Sequence, residues 1–481
     1  MSRVLAKHAA LREGLSAEPV HDLRVSLRRC ILIADVMRGL DPIGEWKPMR
    51  KSAKRLFRRL GALRDAQVLS ERVKRLAPPD DALAAALLES LRTAEEQARA
   101  AATEAVREFD RKRWRAWSQA LTKRYLQVAR EKPACESLAL DAWAQLREQQ
   151  RRARKSRSAI AFHRVRIALK RFRYLTENFL HSRHQAWSVE IKQFQDILGE
   201  IHDLDVLRQT ILRIKVGATA LTRAAWLARL KEERDARLLQ YLERTRGKNS
   251  PFRAWRDVLP QDKEAKFLGL ARLELFARFV TPDFPHAQRV ARLSLQLYDG
   301  LAGCHLNGNR LDGEKRLILR AAALLHDVGL ARTNKAHHKA SYRMIRGLVP
   351  PGGWSRHDLE LAALIARFHR RALPRPEHKS LRTLPQQERE WLVLLAAALR
   401  LANAFDARHD GGIRRIEVED HSGVLAVRAD GFHTDGPLAS KMSGAKHLLE
   451  FACHRPVLIL PGGGHVLAPR AVPQPAASDA A

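Results

Sequence analysis

Apolar positions recur at three- and four-residue spacing through almost all of residues 1–245, in stretches of Ala, Leu, Arg, Glu and Gln with little β-branched alternation. That period marks one face of an α-helix, so the first half is predicted to be almost wholly helical. Two motifs return inside it. HDLRVSLRR at residues 21–29 recurs as HRVRIALKR at 163–171, an offset of 142, and LGALRDAQVL at 60–69 recurs as LGEIHDLDVL at 198–207, an offset of 138. Two motifs in the same order at nearly one offset predict a duplicated helical unit. GKNSP at 247–251 breaks the pattern and marks a domain boundary. Helical spacing resumes at 263 and runs to 406, interrupted by turn-rich stretches at 300–313 and 349–353. After Gly411 and Gly412 the pattern changes to alternation over 413–419 and 424–429, which predicts a β-hairpin. The expected fold is mainly α: duplicated helical bundles over 1–247, a second helical domain over 263–410, a small α+β cap over 411–460 and a disordered tail over 461–481. The glycines at 462–464 lack the Lys-Ser/Thr of a phosphate loop and are given no function.

The length of 481 residues suits two to four domains at roughly 100–200 residues each. With 45% hydrophobic and 29% charged residues, wholesale disorder is excluded. No apolar run approaches a membrane span; the longest, 391–399, is stopped by Arg400. No apolar segment follows the N-terminus as a signal peptide requires. Cys30, Cys135, Cys304 and Cys453 are too scattered for a zinc knuckle or redox pair. A cytoplasmic protein with reduced thiols is expected. Charge sharpens the picture. The 87 Lys+Arg against 53 Asp+Glu give a formal +34, a balance built to meet polyanions. Residues 1–250 hold 53 basic and 30 acidic side chains, 251–481 hold 34 and 23, and 14 of the 20 histidines fall after residue 250. Two halves with different chemistry are predicted.

In residues 49–60, Met49, Ala53, Leu56, Phe57 and Leu60 share one helix face, while Arg50, Lys51, Lys54, Arg55, Arg58 and Arg59 form a cationic stripe on another. His21, Arg24 and Arg28 make a similar ladder, as do His163, Arg166, Lys170 and Arg173. Rungs about 5–6 Å apart suit a linear polyanion. A merely solvated face is the alternative, but like charges at i, i+4 with few intervening acids repel one another, and a bound anion would offset that. Nucleic acid is the weaker expectation, because aromatics for base stacking lie only on the apolar side. Membrane binding is weaker too, since the apolar faces are needed for a bundle core.

These paired motifs resemble the CHAD domain, the conserved histidine α-helical domain, over residues 1–247. The resemblance implies two pseudo-symmetric helical bundles that bind inorganic polyphosphate, through His21, Arg24, Arg28, Arg29, His163, Arg166, Lys170 and Arg171. At the 138 offset the stripe 50–59 meets 188–197, where only Lys54 has a cationic counterpart, Lys192. The second bundle is therefore expected to contribute less.

In the second half, His286 opens a helix after Pro285, His326 and Asp327 end an apolar helix just before Gly329, and Asp406 ends another. Two imidazoles and two carboxylates form a mixed N/O set that suits Mn, Fe, Zn or Mg with positions left for water and phosphate. A helix C-terminus with a capping Asp and a satisfied core histidine is the alternative for LLHDVG alone. The order His, His-Asp, Asp resembles the HD phosphohydrolase superfamily. More closely, residues 280–460 resemble the C-terminal part of the exopolyphosphatase/guanosine pentaphosphate phosphatase family, through HAQRVARLSLQLYDGL, AAALLHDVGL, HHKASYRMI, LAALIARFHRRALP and LLAAALRLANAFD in order. In that family hydrolysis belongs to N-terminal actin-like domains, and here the CHAD-like unit stands in their place. Ala340 occupies a position where the family places another histidine, which counts against a two-metal site. His338, Lys339, His369 and Arg370 are expected to contact phosphate or a second metal. The leading expectation is a metal-dependent phosphohydrolase of polyphosphate or a related substrate, with His286, His326, Asp327 and Asp406 as metal ligands and Asp327 and His326 in catalysis. The alternatives are a non-catalytic polyphosphate receptor or granule protein, and a nucleotide- or nucleic-acid-directed HD protein.

Overall fold

A computed structural model describes residues 1–11, 14–213, 219–304, 311–375, 377–421, 423–436 and 438–462. Contacts divide the chain into two units, Met1–Val280 with Pro350–Ser355, and Thr281–Val349 with the chain from Arg356 onward. The first unit carries α1 Ser2–Ala10, α2 Ala17–Leu40, α3 Trp46–Leu76, α4 Ala82–Arg107, α5 Arg111–Ala129, α6 Lys132–Ser156, α7 Ala159–Phe179, α8 His181–Arg213, α9 Ala220–Arg244, α10 Pro251–Val258 and α11 Asp262–Val280. The second carries α12 Phe284–Gly303, α13 Gly313–Leu325, a 3-10 turn Val328–Ala331, α14 His337–Arg346, α15 Arg356–Arg367, α16 Gln386–Phe405 and α17 Ala439–Cys453. Its strands are β1 Ile416–His421, β2 Val424–Ala429 and β3 Val457–Pro461. With seventeen α-helices and one three-stranded sheet among the described residues, the fold is mainly α, as the periodicity predicts.

The duplication is larger than the two sequence motifs. Helices α2, α3 and α4 return as α7, α8 and α9, with α7 starting 142 residues after α2 and α9 starting 138 after α4. The N-caps correspond as well, Ser16 with Ser158 and Asp81 with Thr219. Asp81 accepts from Ala84 N at 2.7 Å and from Trp226 Nε1 at 2.9 Å, so one carboxylate caps α4 and ties it to α9. A core of Leu69, Val73, Leu87, Leu207, Ile211 and Trp226 joins the copies. A second cluster stacks Trp143 of α6, Phe172 of α7, Trp187 and Phe194 of α8, and Phe252 and Trp255 of α10, with ring centroids 5.3 to 6.0 Å apart where they touch. Helix α11, at the start of the segment assigned from sequence to the second domain, packs on α6 of the first unit. Arg272 pairs with Asp141 there, and Trp354 Nε1 donates to Lys266 O at 2.7 Å, which fastens 350–355 to the same unit.

In the second unit, α12 packs on α13 and α16, and α17 on α16. The predicted hairpin is present: β1 runs antiparallel to β2 with Ile416 opposite Ala429 and His421 opposite Val424. Strand β3 adds parallel to β2 after the α17 crossover, Val457 opposite Leu425. Among the described residues no helix is long and apolar enough to cross a membrane. Arg400, expected to stop an apolar run, is buried inside α16. The tail predicted to be disordered lies outside the described residues from 463 onward.

Candidate functional site

A cavity of about 950 Å³ opens in the first unit where the two copies meet. Eight Lys/Arg side chains line it against three Asp. They come in equivalent pairs: Arg24 of α2 with Arg166 of α7 and Arg28 with Lys170 at the 142 offset, then Arg64 of α3 with His202 of α8 and Asp65 with Asp203 at the 138 offset. Arg24 is held by Phe57, donating from Nη1 to its carbonyl at 3.0 Å and lying 4.5 Å over its ring, with Asp65 3.9 Å away.

The charges here are crowded and dehydrated. Burial, with Arg166 and Arg28 adding to it, pushes the Lys170 ammonium down to about 6. Burial and then Arg166 push His202 down to about 4, and burial lowers Arg24 to about 10. Such a cavity gains by admitting an anion, which restores the solvation these cations lost. The lysine pKa lies below that of an unfolded lysine, so between about 6 and about 10 the unfolded chain binds the extra proton. Stability therefore rises with pH across that window, and the burial cost is complete below it. A bound polyanion favours the ammonium. Binding of inorganic polyphosphate is expected to take up protons and to weaken as pH is raised from about 6 to about 8. Calorimetry in buffers of different ionisation enthalpy checks this; equal heats in all buffers would contradict it.

Of the residues named from sequence, His21, Arg24, Arg28, Lys54, Arg166, Lys170 and Arg171 line the cavity. His163 stands beside it, its Nδ1 3.3 Å from that of His202. Arg29 is instead paired with Glu177 at 2.6 Å, Arg50 with Asp35, and Arg173 donates to Gln195 at 2.6 Å. Lys51, Arg55 and Arg58 are exposed and do not line the cavity. Sequence reasoning misses Arg64, Asp65, His202 and Asp203 as cavity residues, although the repeated LG-x-x-(R/H)-D motif contains all four.

The second unit brings several helix ends to one point. Asp283 caps α12 by accepting from His286 N at 3.0 Å, which sets His286 in the first turn. His326 ends α13, Asp327 follows, His337 opens α14, and His369 lies just past α15. All five side chains are buried. The tautomers follow from their partners. His326 Nδ1 lies 2.7 Å from Ala323 O, His369 Nδ1 2.6 Å from Ala366 O, and His337 Nδ1 3.3 Å from Asn334 O. A carbonyl only accepts, so each Nδ1 carries the proton and each Nε2 presents a lone pair. His286 matches them by donating Nδ1–H to Asp406 Oδ2 at 2.7 Å. Burial lowers the pKa of His286, His337 and His369, which keeps those rings neutral.

Four Nε2 lone pairs therefore converge on one carboxylate. Asp327 Oδ1 lies 3.2 Å from His337 Nε2 and 3.9 Å from His369 Nε2, and Oδ2 lies 3.4 Å from His326 Nε2 and 3.9 Å from His286 Nε2. The Nε2 atoms of His337 and His369 are only 3.3 Å apart. His326 Nε2 and Asp327 Oδ1 are buried without a hydrogen-bond partner, and Arg370 Nη1 reaches no closer than 3.4 Å to His337 Nε2. Acceptors facing acceptors repel unless a cation lies between them. Among the described residues, two sets have ligand atoms within 4.8 Å of one another, His286–His326–Asp327 and Asp327–His337–His369, with Asp327 common to both.

The supports are local. Arg400 Nη2 donates to Phe368 O at 2.8 Å and Ala372 O at 2.9 Å, clamping the turn that carries His369. Asp406, named from sequence as a ligand, accepts from His286 Nδ1, from Arg289 Nε at 2.9 Å and from Gly411 N at 3.2 Å, so it orients His286. Asn403 Oδ1 lies 3.1 Å from His286 Nε2, and His409 stacks on His286 at 3.9 Å between centroids. His338 is buried with Nδ1 unpartnered, while Lys339 and Arg370 are exposed. A Cβ on Gly329 would meet His337 O at 2.2 Å and Ser341 N at 2.5 Å. Gly329→Ala is thus expected to push α14 and His337 away from Asp327 and to lower divalent-metal affinity by about 10–100-fold, the usual loss when a supporting group is disturbed. Metal titration of that variant beside the parent checks it.

Family models match two parts of the chain: CHAD domain at residues 1–212, and Ppx/GppA phosphatase, domain III, at residues 273–427. The second match is to that domain III and not to an HD domain. No match was found among curated proteins. The chain is thus similar to a CHAD domain in its first part, and to domain III of polyphosphate-related Ppx/GppA phosphatases in its second.

Proposed function

We propose that the protein retains inorganic polyphosphate in the cationic cavity and hydrolyses it, or a related phosphorylated substrate, at a divalent-metal site built around Asp327. The four inward-facing Nε2 atoms around one buried carboxylate carry this reading, because a divalent cation would satisfy them together with the unpartnered His326 Nε2 and Asp327 Oδ1. His286, His326 and Asp327 would hold one divalent ion, and Asp327, His337 and His369 a second. Bound there, Mn, Fe, Zn or Mg supplies charge neutralisation at phosphate oxygens and a more acidic water. Asp406 keeps His286 in the tautomer with Nε2 free, and Arg400 holds the turn of His369. Arg370 and Lys339, both exposed, would contact phosphate, with His338 buried behind them. The covalent link to the cationic cavity raises the local concentration of substrate ends without new chemistry.

A polyphosphate receptor without turnover is the second reading. Asp406 favours it, since Arg289 and His286 occupy its carboxylate and leave it closed to an ion. Phosphate release from polyphosphate, guanosine pentaphosphate and simple esters, with Mn, Mg, Fe, Zn or no metal, separates the two. Release that requires a metal supports the hydrolase, and binding with no release under any metal supports the receptor.

A further inference from the structure

Five arginines converge on a second cavity of the first unit, one that shares no lining residue with the first. It has a volume of about 520 Å³ and lies among α6, α10 and the turn after α9. Arg147 and Arg154 come from α6, Arg246 from the turn, and Arg253 and Arg256 from α10; the carboxylate on its wall is Asp257. Among the described residues none of the five guanidiniums has an ion-pair partner, and Arg147 makes one aromatic contact, 5.7 Å over Trp143. Elsewhere in the unit comparable arginines find acids, as Arg234 does with Asp205 at 2.7 Å and Arg99 with Glu95 at 2.9 Å.

Helix C-termini attract cations and account for Arg154, Arg246 and Arg256 one at a time. They do not account for Arg147 or Arg253, nor for five unpaired charges on one wall. Burial, then the fields of Arg256 and Arg154, hold the Arg147 guanidinium below its usual range, so these groups lie close enough to repel. The frame is rigid, because Phe252 and Trp255 anchor α10 in the aromatic cluster at 1% exposure each. Gly247, at φ +83°, turns the chain into α10 in a conformation that glycine adopts without strain. Helix α6 serves both cavities: Gln145 and Gln149 line the first, while Arg147 and Arg154 stand on the roughly opposite face and line the second.

We propose that this second cavity is a separate anion site that takes a compact, multiply phosphorylated small molecule through guanidinium–phosphate pairing. Its size falls in the small-ligand range of about 300–1,000 Å³. Planar guanidinium forks match phosphate oxygens two at a time, and several forks around one cavity select for more than one phosphate. The one aromatic on the wall, Phe252, is spent in the core, so the site offers no platform for a nucleobase.

The test is calorimetric titration of the full-length protein with inorganic tripolyphosphate, beside the double variant Arg147→Gln/Arg256→Gln. The parent is expected to bind at two sites, and the variant to lose one of them by about tenfold or more in affinity while keeping the other. Identical titrations of parent and variant, or no binding by the parent, would overturn the proposal. If the variant melts early, arginine modification by phenylglyoxal in the unmutated protein decides instead. Protection of Arg147 and Arg253 by tripolyphosphate supports the site, and equal labelling with and without it rejects it. Identical two-site titrations of parent and variant leave the reading of the first cavity and of the Asp327 cluster untouched, since neither uses these arginines, whereas no binding by the parent counts against the first cavity as well.

Discussion

Asp327→Ala is expected to abolish divalent-metal uptake and, with it, all metal-dependent phosphate release. Asp327 is the one residue common to both candidate ligand sets, and its two oxygens face all four Nε2 atoms. Removing it leaves the lone pairs with no carboxylate to offset the charge of an ion. Metal analysis of purified parent and variant reads the first effect, and phosphate release reads the second. Polyphosphate affinity should stay within about twofold, because the two sites lie in separate units and share no residue. Asp406→Asn provides the contrast. It disturbs only the orientation of His286, so metal affinity should fall by about 10–100-fold and not vanish. A parent protein that purifies without metal and takes up none would remove the hydrolase reading and favour the receptor.

The joint replacement of Arg24, Arg28, Arg166 and Lys170 by Ala carries the second large effect. Each is a charge-assisted partner worth about 1.5–3 kcal/mol when it meets phosphate, so polyphosphate affinity should fall by about a thousandfold or more. The slope of log K against log salt should shrink by about 0.7 for each phosphate that is no longer neutralised. The thermal midpoint should hold or rise, because the unliganded cavity is relieved of repulsion between dehydrated cations. A variant that keeps both the affinity and the salt slope would show that the ligand binds elsewhere, for instance on the exposed stripe of Lys51, Arg55 and Arg58.

The helical architecture was legible because helix period is written in the residues themselves, and the duplication because two motifs kept their order. The third pair, α4 with α9, leaves no such trace. It repeats as length and capping, Asp81 for Thr219, and not as a motif. At the Asp327 cluster the adjacent His337 and His338 look interchangeable along the chain. Only the packing of α14 against the turn at Gly329 turns His337 onto Asp327, and this also supplies the histidine that Ala340 had left missing. Asp406 was visible as a carboxylate at a helix end, but not the partner it would choose, since Arg289 comes from a helix more than a hundred residues earlier. Arg400 looked like a stop in an apolar run. It is buried because two turn carbonyls near His369 satisfy it.

The two copies around the first cavity have not remained equal. Where the first presents Arg28 and Arg64, the second presents Lys170 and His202, groups that ionise near or below neutrality in this setting. Arg166 and Arg171 keep fixed charge on the second copy as well, but Lys170 and His202 add charge that depends on a proton. An anion held there would be gripped by arginines of both copies and by these proton-dependent groups, and local alkalinity would loosen only the latter. Departure of such an anion would return those protons to the surroundings, so binding and release at this cavity would also move acid. The divergence of the duplicated helices would thus couple anion load to pH.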